Sequence, residues 1–161
     1  MSVRYQRGTD GFDSSRLCGF FVGWPDPPDP GRHLEILQGS TFCYLAIDKE
    51  SDQVVGFITS ISDGSFAAYI PLLEVLPAYQ GRGIGSELVR RVLAELDGHY
   101  MIDVICDENI QPFYERFGLR PWSAMIYRRA DTSQPTPRKF LGLYARASTA
   151  TLTGTATATA R

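Results

Sequence analysis

The chain has 161 residues, enough for one domain with a real core, and 43% hydrophobic with 21% charged residues is an ordinary globular balance. A net charge of −2 and a pI near 5.7 leave no basic footprint, which argues against nucleic acid as a partner. No run of about 18 apolar residues is present to span a membrane, and Met1-Ser2-Val3-Arg4-Tyr5 lacks a signal-peptide core, so no membrane association and a cytoplasmic location are expected. Cys18, Cys43 and Cys106 are odd in number, have no metal spacing and lie in apolar surroundings. They are expected to be reduced, buried thiols, with no metal bound.

In chain order, Val3 to Arg7 reads as a first strand and Gly8 to Gly11 as a turn. Asp13 or Ser14 can cap a short helix through about Phe21. Residues 23–31 carry four prolines within six positions, which forbids regular structure there. His33 to Gln38 is a second short helix ended by Gly39, with His33 expected on its surface. Thr41 to Ile47, Gln53 to Ile61 and Phe66 to Leu76 form an antiparallel meander, turned at Ser51-Asp52 and Asp63-Gly64. Pro71 cannot donate to a ladder, so a bulge or a splayed edge is expected beside it.

Pro77 stops the third of these strands, and Gly81, Gly83 and Gly85 then lead at once into a helix from Ile84 to Asp97. Ile84, Leu88, Val89, Val92, Leu93 and Leu96 recur at helical spacing, with Glu87, Arg90, Arg91 and Glu95 facing the other way. The first amides of such a helix have no intrahelical partners and lie at the positive end of its dipole, which makes an anion site. A P-loop is excluded because no lysine follows the glycines. A dinucleotide fingerprint would need glycine where Ser86 stands, although Asp103 falls roughly 20 residues on, as that fold's ribose-binding acid would. A glycine turn that only packs a helix on a sheet is the remaining alternative.

Downstream, Gly98 ends the helix and Tyr100 to Cys106 is a parallel strand entered by crossover. Asn109 or Asp107 caps a helix around Phe113 that Gly118 terminates. Leu119 to Trp122 and Ala124 to Arg128 read as two final strands. Residues 145–161 are almost entirely Ala, Thr, Ser and Gly without periodicity. They read as a disordered tail beyond a single domain of residues 1–144.

The pattern Gln80-x-x-Gly83-x-Gly85 after Val75-x-Pro77, followed by Asn109…Phe113-Tyr114-Glu115-x-x-Gly118-Leu119, resembles the GNAT superfamily of acyl-CoA-dependent N-acyltransferases. The resemblance covers roughly residues 40 to 130. It implies an α/β fold built on a mixed, mostly antiparallel sheet splayed at a β-bulge, with flanking helices. It further implies acetyl-CoA as co-substrate, with its pyrophosphate at Gln80, Gly81, Arg82, Gly83, Ile84, Gly85 and Ser86. Leu73, Glu74 and Val75 would pair with the pantetheine arm, as an added strand does. A main-chain amide on that bulged strand would meet the negative charge developing on the thioester carbonyl. Asn109 would contact coenzyme A, but two residues fewer than usual separate it from Tyr114, and Pro112 stands where many members carry a helix former.

The same resemblance makes Tyr114 the donor to the leaving thiolate, a role a phenol near pKa 10 can fill at neutral pH. The acceptor amine must lose a proton before attack. Glu74 and Asp103 each interrupt an apolar strand and are candidates for the base, Glu74 first because its strand lies beside the thioester. A polar outer strand face accounts equally well for either. Phe20, Phe21 and Trp24 are candidates to line the acceptor site, with packing of the helices onto the sheet the favoured reading for Phe20 and Phe21. The expected function is acetyl transfer to a primary amine by direct attack in a ternary complex, a small-molecule acceptor being favoured. An acetyltransferase acting on a protein lysine or N-terminus, or a non-catalytic acyl-CoA-binding module, is the alternative. Monomer and homodimer stay open.

Overall fold

The computed structural model describes residues 2–127. The expected tail at 145–161 lies outside them, as does Arg128 at the end of the last expected strand. The chain divides into a unit Met1–Trp122 and a second unit Ser123–Arg161. Of the latter, residues 123–127 are described, and they hold no helix or strand.

Five strands form one sheet in the order of the chain: β1 (Val3–Arg7), β2 (Phe42–Asp48), β3 (Val54–Ser62), β4 (Ala67–Val75) and β5 (Met101–Val104). The first four pair antiparallel, and β5 joins β4 in parallel. That last pairing requires a crossover, which α2 (Ile84–Glu95) provides. Its residues Ile84, Leu88, Val89 and Val92 are buried against the sheet together with Leu96, Ile58 and Ile70. On the other face, α1 (Pro30–Gly39) and the segment around Phe20 and Phe21 cover Leu45, Ile47 and Phe57. The sheet thus has a core on each side, as its long apolar runs require.

Pro71 lies where expected, in a bulge. Thr59 faces Leu72 and Ile61 faces Tyr69, so Ile70 and Pro71 together oppose Ser60 alone. The β4–β5 ladder runs from Ala67–Met101 to Ile70–Val104 and stops there. Beyond Pro71, β4 continues to Val75 with β3 on one side and, among the described residues, no strand on the other.

Several expectations are corrected. The helix expected through Phe21 is a single 3-10 turn at Ser14–Arg16, capped by Asp13, whose carboxylate accepts from the Ser15 amide. In contrast, α1 begins earlier than expected, because Asp29 caps it through the Arg32 amide and Pro30 takes a first-turn position, where its missing N–H costs nothing. Neither Asp107 nor Asn109 caps the Phe113 helix by its side chain. A 3-10 turn at Glu108–Ile110 leads directly into α3 (Gln111–Glu115). Leu119 to Trp122 forms no strand; Pro121 removes a ladder donor from that four-residue run, and Trp122 is exposed. Of the three thiols only Cys43 is buried. Cys18 is exposed, its Sγ set against the Ser15 carbonyl, and Cys106 is half-buried.

His33 departs furthest from expectation. Its ring is fully buried, in edge-on or tilted contact with Phe20, Phe21 and Phe57 at centroid distances of 5.2, 4.9 and 4.4 Å. Neither ring nitrogen has a hydrogen-bond partner. This burial lowers its pKa to about 4, so the imidazole is neutral.

Candidate active site

Main-chain groups in an antiparallel strand turn alternately to one neighbour and the other. The Leu76 amide donates to Val55 O on β3 at 2.9 Å, so Val75, and by alternation Leu73, turn their N–H and C=O to the open side. One of these groups is engaged within the chain, since Gln80 Nε2 donates to Val75 O at 2.9 Å. The Leu73 N–H remains a fixed main-chain donor on the open edge.

At the end of β4 the chain passes through a 3-10 turn, Pro77–Tyr79, to Gly81 and Gly83. Gly83, the cap residue of α2, sits at φ 81°, a left-handed conformation that favours glycine. No side chain caps this helix, and its first intrahelical bond runs from the Glu87 amide to Gly83 O. The amides of Ile84, Gly85 and Ser86 are therefore left to an outside acceptor. A pyrophosphate suits such a cradle, with Arg82 at the turn adding positive charge. Ile84 contributes only its amide, because its side chain is core. α3 packs close to this turn: a Cβ at Gly85 would lie 3.6 Å from the Phe113 ring, an ordinary contact.

Tyr114 is carried on α3 and belongs to the same apolar cluster as Leu73 and Val75. Burial, and secondarily Cys106, pushes its phenol up to about 12, so it is protonated across the working pH range. Asn109 lies exposed in the 3-10 turn before α3.

The two carboxylates separate. Asp103 is exposed on β5 opposite Tyr69, on the closed side of the bulge. Five residues of strand separate Tyr69 from Glu74, roughly 16 Å. Glu74 lies beyond the bulge, and its carboxylate accepts from the Phe21 amide at 2.8 Å and from the Val22 amide at 3.2 Å. These two bonds hold Phe21 at φ 60°, a conformation costly for a bulky side chain. No sequence signal pointed to this link, because its ends are 53 residues apart.

Phe21 is buried, as the packing reading had it, yet it also walls a cleft of about 470 Å³ with Trp24, Pro28, Ile36 and Leu72. Phe21 and Trp24 meet edge to face at 5.3 Å. Leu72 and Glu74 face this side of β4, Leu73 and Val75 the α2 side. The split beyond Pro71 thus has the amide cradle and Tyr114 on one side and an aromatic cleft on the other.

The model of the acetyltransferase (GNAT) family matches residues 10–119. The chain belongs to this family. GNAT members are acyl-CoA-dependent acetyltransferases. A crystal structure from Deinococcus radiodurans R1, named only as a candidate acetyltransferase, is 44% identical with a TM-score of 0.77, over 84% of this chain and 94% of that one. An uncharacterized N-acetyltransferase, ycf52, of Gracilaria tenuistipitata var. liui is 27% identical over 66% of this GNAT chain and 59% of its own. The chloroplastic GCN5-related N-acetyltransferase 3 of Arabidopsis thaliana is 33% identical over 46% of this chain and 32% of its own. The chain thus spans between about a third and three-fifths of these two curated relatives. Among the described residues of this GNAT chain, no helix is long and apolar enough to cross a membrane.

Proposed function

We propose that this protein transfers an acetyl group from acetyl-CoA to the primary amine of a small molecule, by direct attack in a ternary complex. The observation that carries this reading is the free edge of β4 beyond Pro71, which runs from the Leu73 N–H to the amide cradle at Gly83–Ser86 and packs with Tyr114 in one cluster. Acetyl-CoA supplies the acyl group as a thioester whose sulfur leaves.

The chain's residues divide the remaining work. The Ile84, Gly85 and Ser86 amides and Arg82 hold the pyrophosphate, and Leu73 and Val75 align the pantetheine arm as an added strand. The Leu73 N–H stabilises charge developing on the carbonyl oxygen. Tyr114 donates a hydrogen bond to the departing sulfur. Giving its proton up entirely to a thiolate whose conjugate thiol has a pKa near 8.5 would be uphill by about 5 kcal/mol from a phenol at about 12. Tyr114 therefore acts chiefly as a donor that keeps its proton. Glu74 is assigned the amine's proton, through water: each oxygen keeps a lone pair beyond the one engaged by Phe21 or Val22. Asp103, exposed on the closed side of the bulge, has no part in this reading.

The test is CoA release from acetyl-CoA with amines, polyamines, amino acids and peptides, wild type beside Tyr114→Phe. Turnover on a small amine with a large loss of kcat in the variant is expected. Tight acetyl-CoA binding with no turnover on any small acceptor would overturn the reading.

A further inference from the structure

We propose that the cleft walled by Phe21 and Trp24 selects an acceptor whose ammonium is carried on an aromatic body, an aralkylamine, and rejects amines that also bear a carboxylate or many hydroxyls. The inference rests on the acetyl-transfer reading and adds the chemical class of the acceptor.

Three features of the lining carry it. The walls are apolar: Phe21, Trp24, Pro27, Pro28, Ile36 and Leu72. Phe21 presents one side of an edge-to-face pair with Trp24, an arrangement into which a further ring packs favourably. Among the described residues, no serine, threonine, asparagine or glutamine lines the cleft. Asp26, Asp29 and Arg32 could pair with one or two hydroxyls, but a polyhydroxylated amine such as an amino sugar would set the rest against apolar walls, which is costly.

Charge reinforces them. Asp26 and Asp29 both line the cleft, and the one cation among the described lining residues is Arg32. Its guanidinium is paired with Glu35 at 2.6 Å, and Asp29 spends one oxygen on the Arg32 amide. The cleft keeps an excess of negative charge that draws an ammonium in and repels a carboxylate. Trp24 adds a cation–π surface beside Asp26. A volume of about 470 Å³ lies within the usual range for one small-molecule ligand. Leu72 forms part of the lining one residue from Leu73, so an amine in this cleft lies against the strand that carries the Leu73 N–H.

The experiment compares 2-phenylethylamine, phenylalanine, glucosamine and spermidine as acceptors for the full chain, with calorimetric binding of each amine in the presence of CoA. Phenylethylamine is expected to show a kcat/KM at least about tenfold above each of the others. Trp24→Ala should raise its KM about tenfold, and Asp26→Asn severalfold, while the KM for acetyl-CoA is unchanged. Trp24 is half-exposed, so its removal leaves the fold intact. If phenylethylamine binds in a Trp24-dependent way but no amine is acetylated, the selection stands and the transfer reading fails. If glucosamine, phenylalanine or spermidine is acetylated as well as phenylethylamine or better, or Trp24→Ala leaves the amine KM unmoved, the selection is overturned while transfer stands.

Discussion

Replacing His33 with leucine should stabilise the protein, and by an amount that grows as the pH falls. The imidazole is fully buried among three aromatic rings with both nitrogens unpartnered. An unsatisfied buried polar group costs about 1–3 kcal/mol, and the imperfect fit of leucine returns up to roughly 1.5 kcal/mol, so a gain of about 1 kcal/mol is expected at pH 7. The pH term adds to this. In the unfolded chain His33 takes up a proton near pH 6.5, whereas in the folded protein it does so only near pH 4. Between these values the unfolded state binds more protons, so native stability is present in full above pH 6.5 and drains away as the pH falls towards 4. The loss is about 1 kcal/mol at pH 5.5 and about 2 kcal/mol at pH 4.5. The leucine variant lacks this term. Urea unfolding of both proteins at pH 7, 5.5 and 4.5 should therefore show their stabilities diverging by about 2 kcal/mol across the series. A difference that stays constant from pH 7 to 4.5 would refute a neutral, buried His33.

Three further outcomes are expected. Tyr114→Phe should lower kcat on the order of 10²-fold and leave the KM for acetyl-CoA within about threefold, read from steady-state CoA release. Glu74→Gln should lower kcat by a similar order and flatten its pH dependence, while also raising the amine KM because Phe21 loses an anchor. A raised KM with an unaltered pH profile would leave Glu74 only its hold on Phe21. Gly83→Ala meets no atom within 4 Å of the new Cβ, so its cost is conformational, roughly 1 kcal/mol for φ 81°. It should lower the thermal midpoint by a few degrees and raise the KM for acetyl-CoA but not for the amine. An unchanged acetyl-CoA KM would remove Gly83 from the cradle.

The meander, the bulge at Pro71 and the glycine turn feeding α2 were legible because each rests on local chemistry: strand patterning, a missing N–H, and glycines before an amphipathic run. The acceptor side was not. Asp29-Pro30 is itself a helix-start signal, yet the prolines around it mask it, and helical pattern alone places the start of α1 three residues late. His33 and Leu37 share a helix face four residues apart, and that spacing could have flagged burial. What hid it is that histidine is seldom fully buried without a partner, so composition pointed outward. The Glu74–Phe21 link, the wall of the aromatic cleft and the loss of the strand at Leu119–Trp122 depend on contacts between distant segments or on pairing that did not form. Such features leave no trace in periodicity.

Pro71 has a kinetic consequence. A gap between two parallel strands would ordinarily tend to anneal, since each unpaired amide gains a partner when the ladder zips further. A residue with no N–H at the point where pairing stops removes the next rung, so the ladder cannot advance one residue at a time past Ile70 and Val104. The split is then already open in the folded chain, so β4 and β5 need not be pried apart for an arm to enter. Entry of a long, strand-like arm should accordingly be limited by encounter and by charge at the amide turn, and acetyl-CoA association should show no slow phase that saturates with concentration.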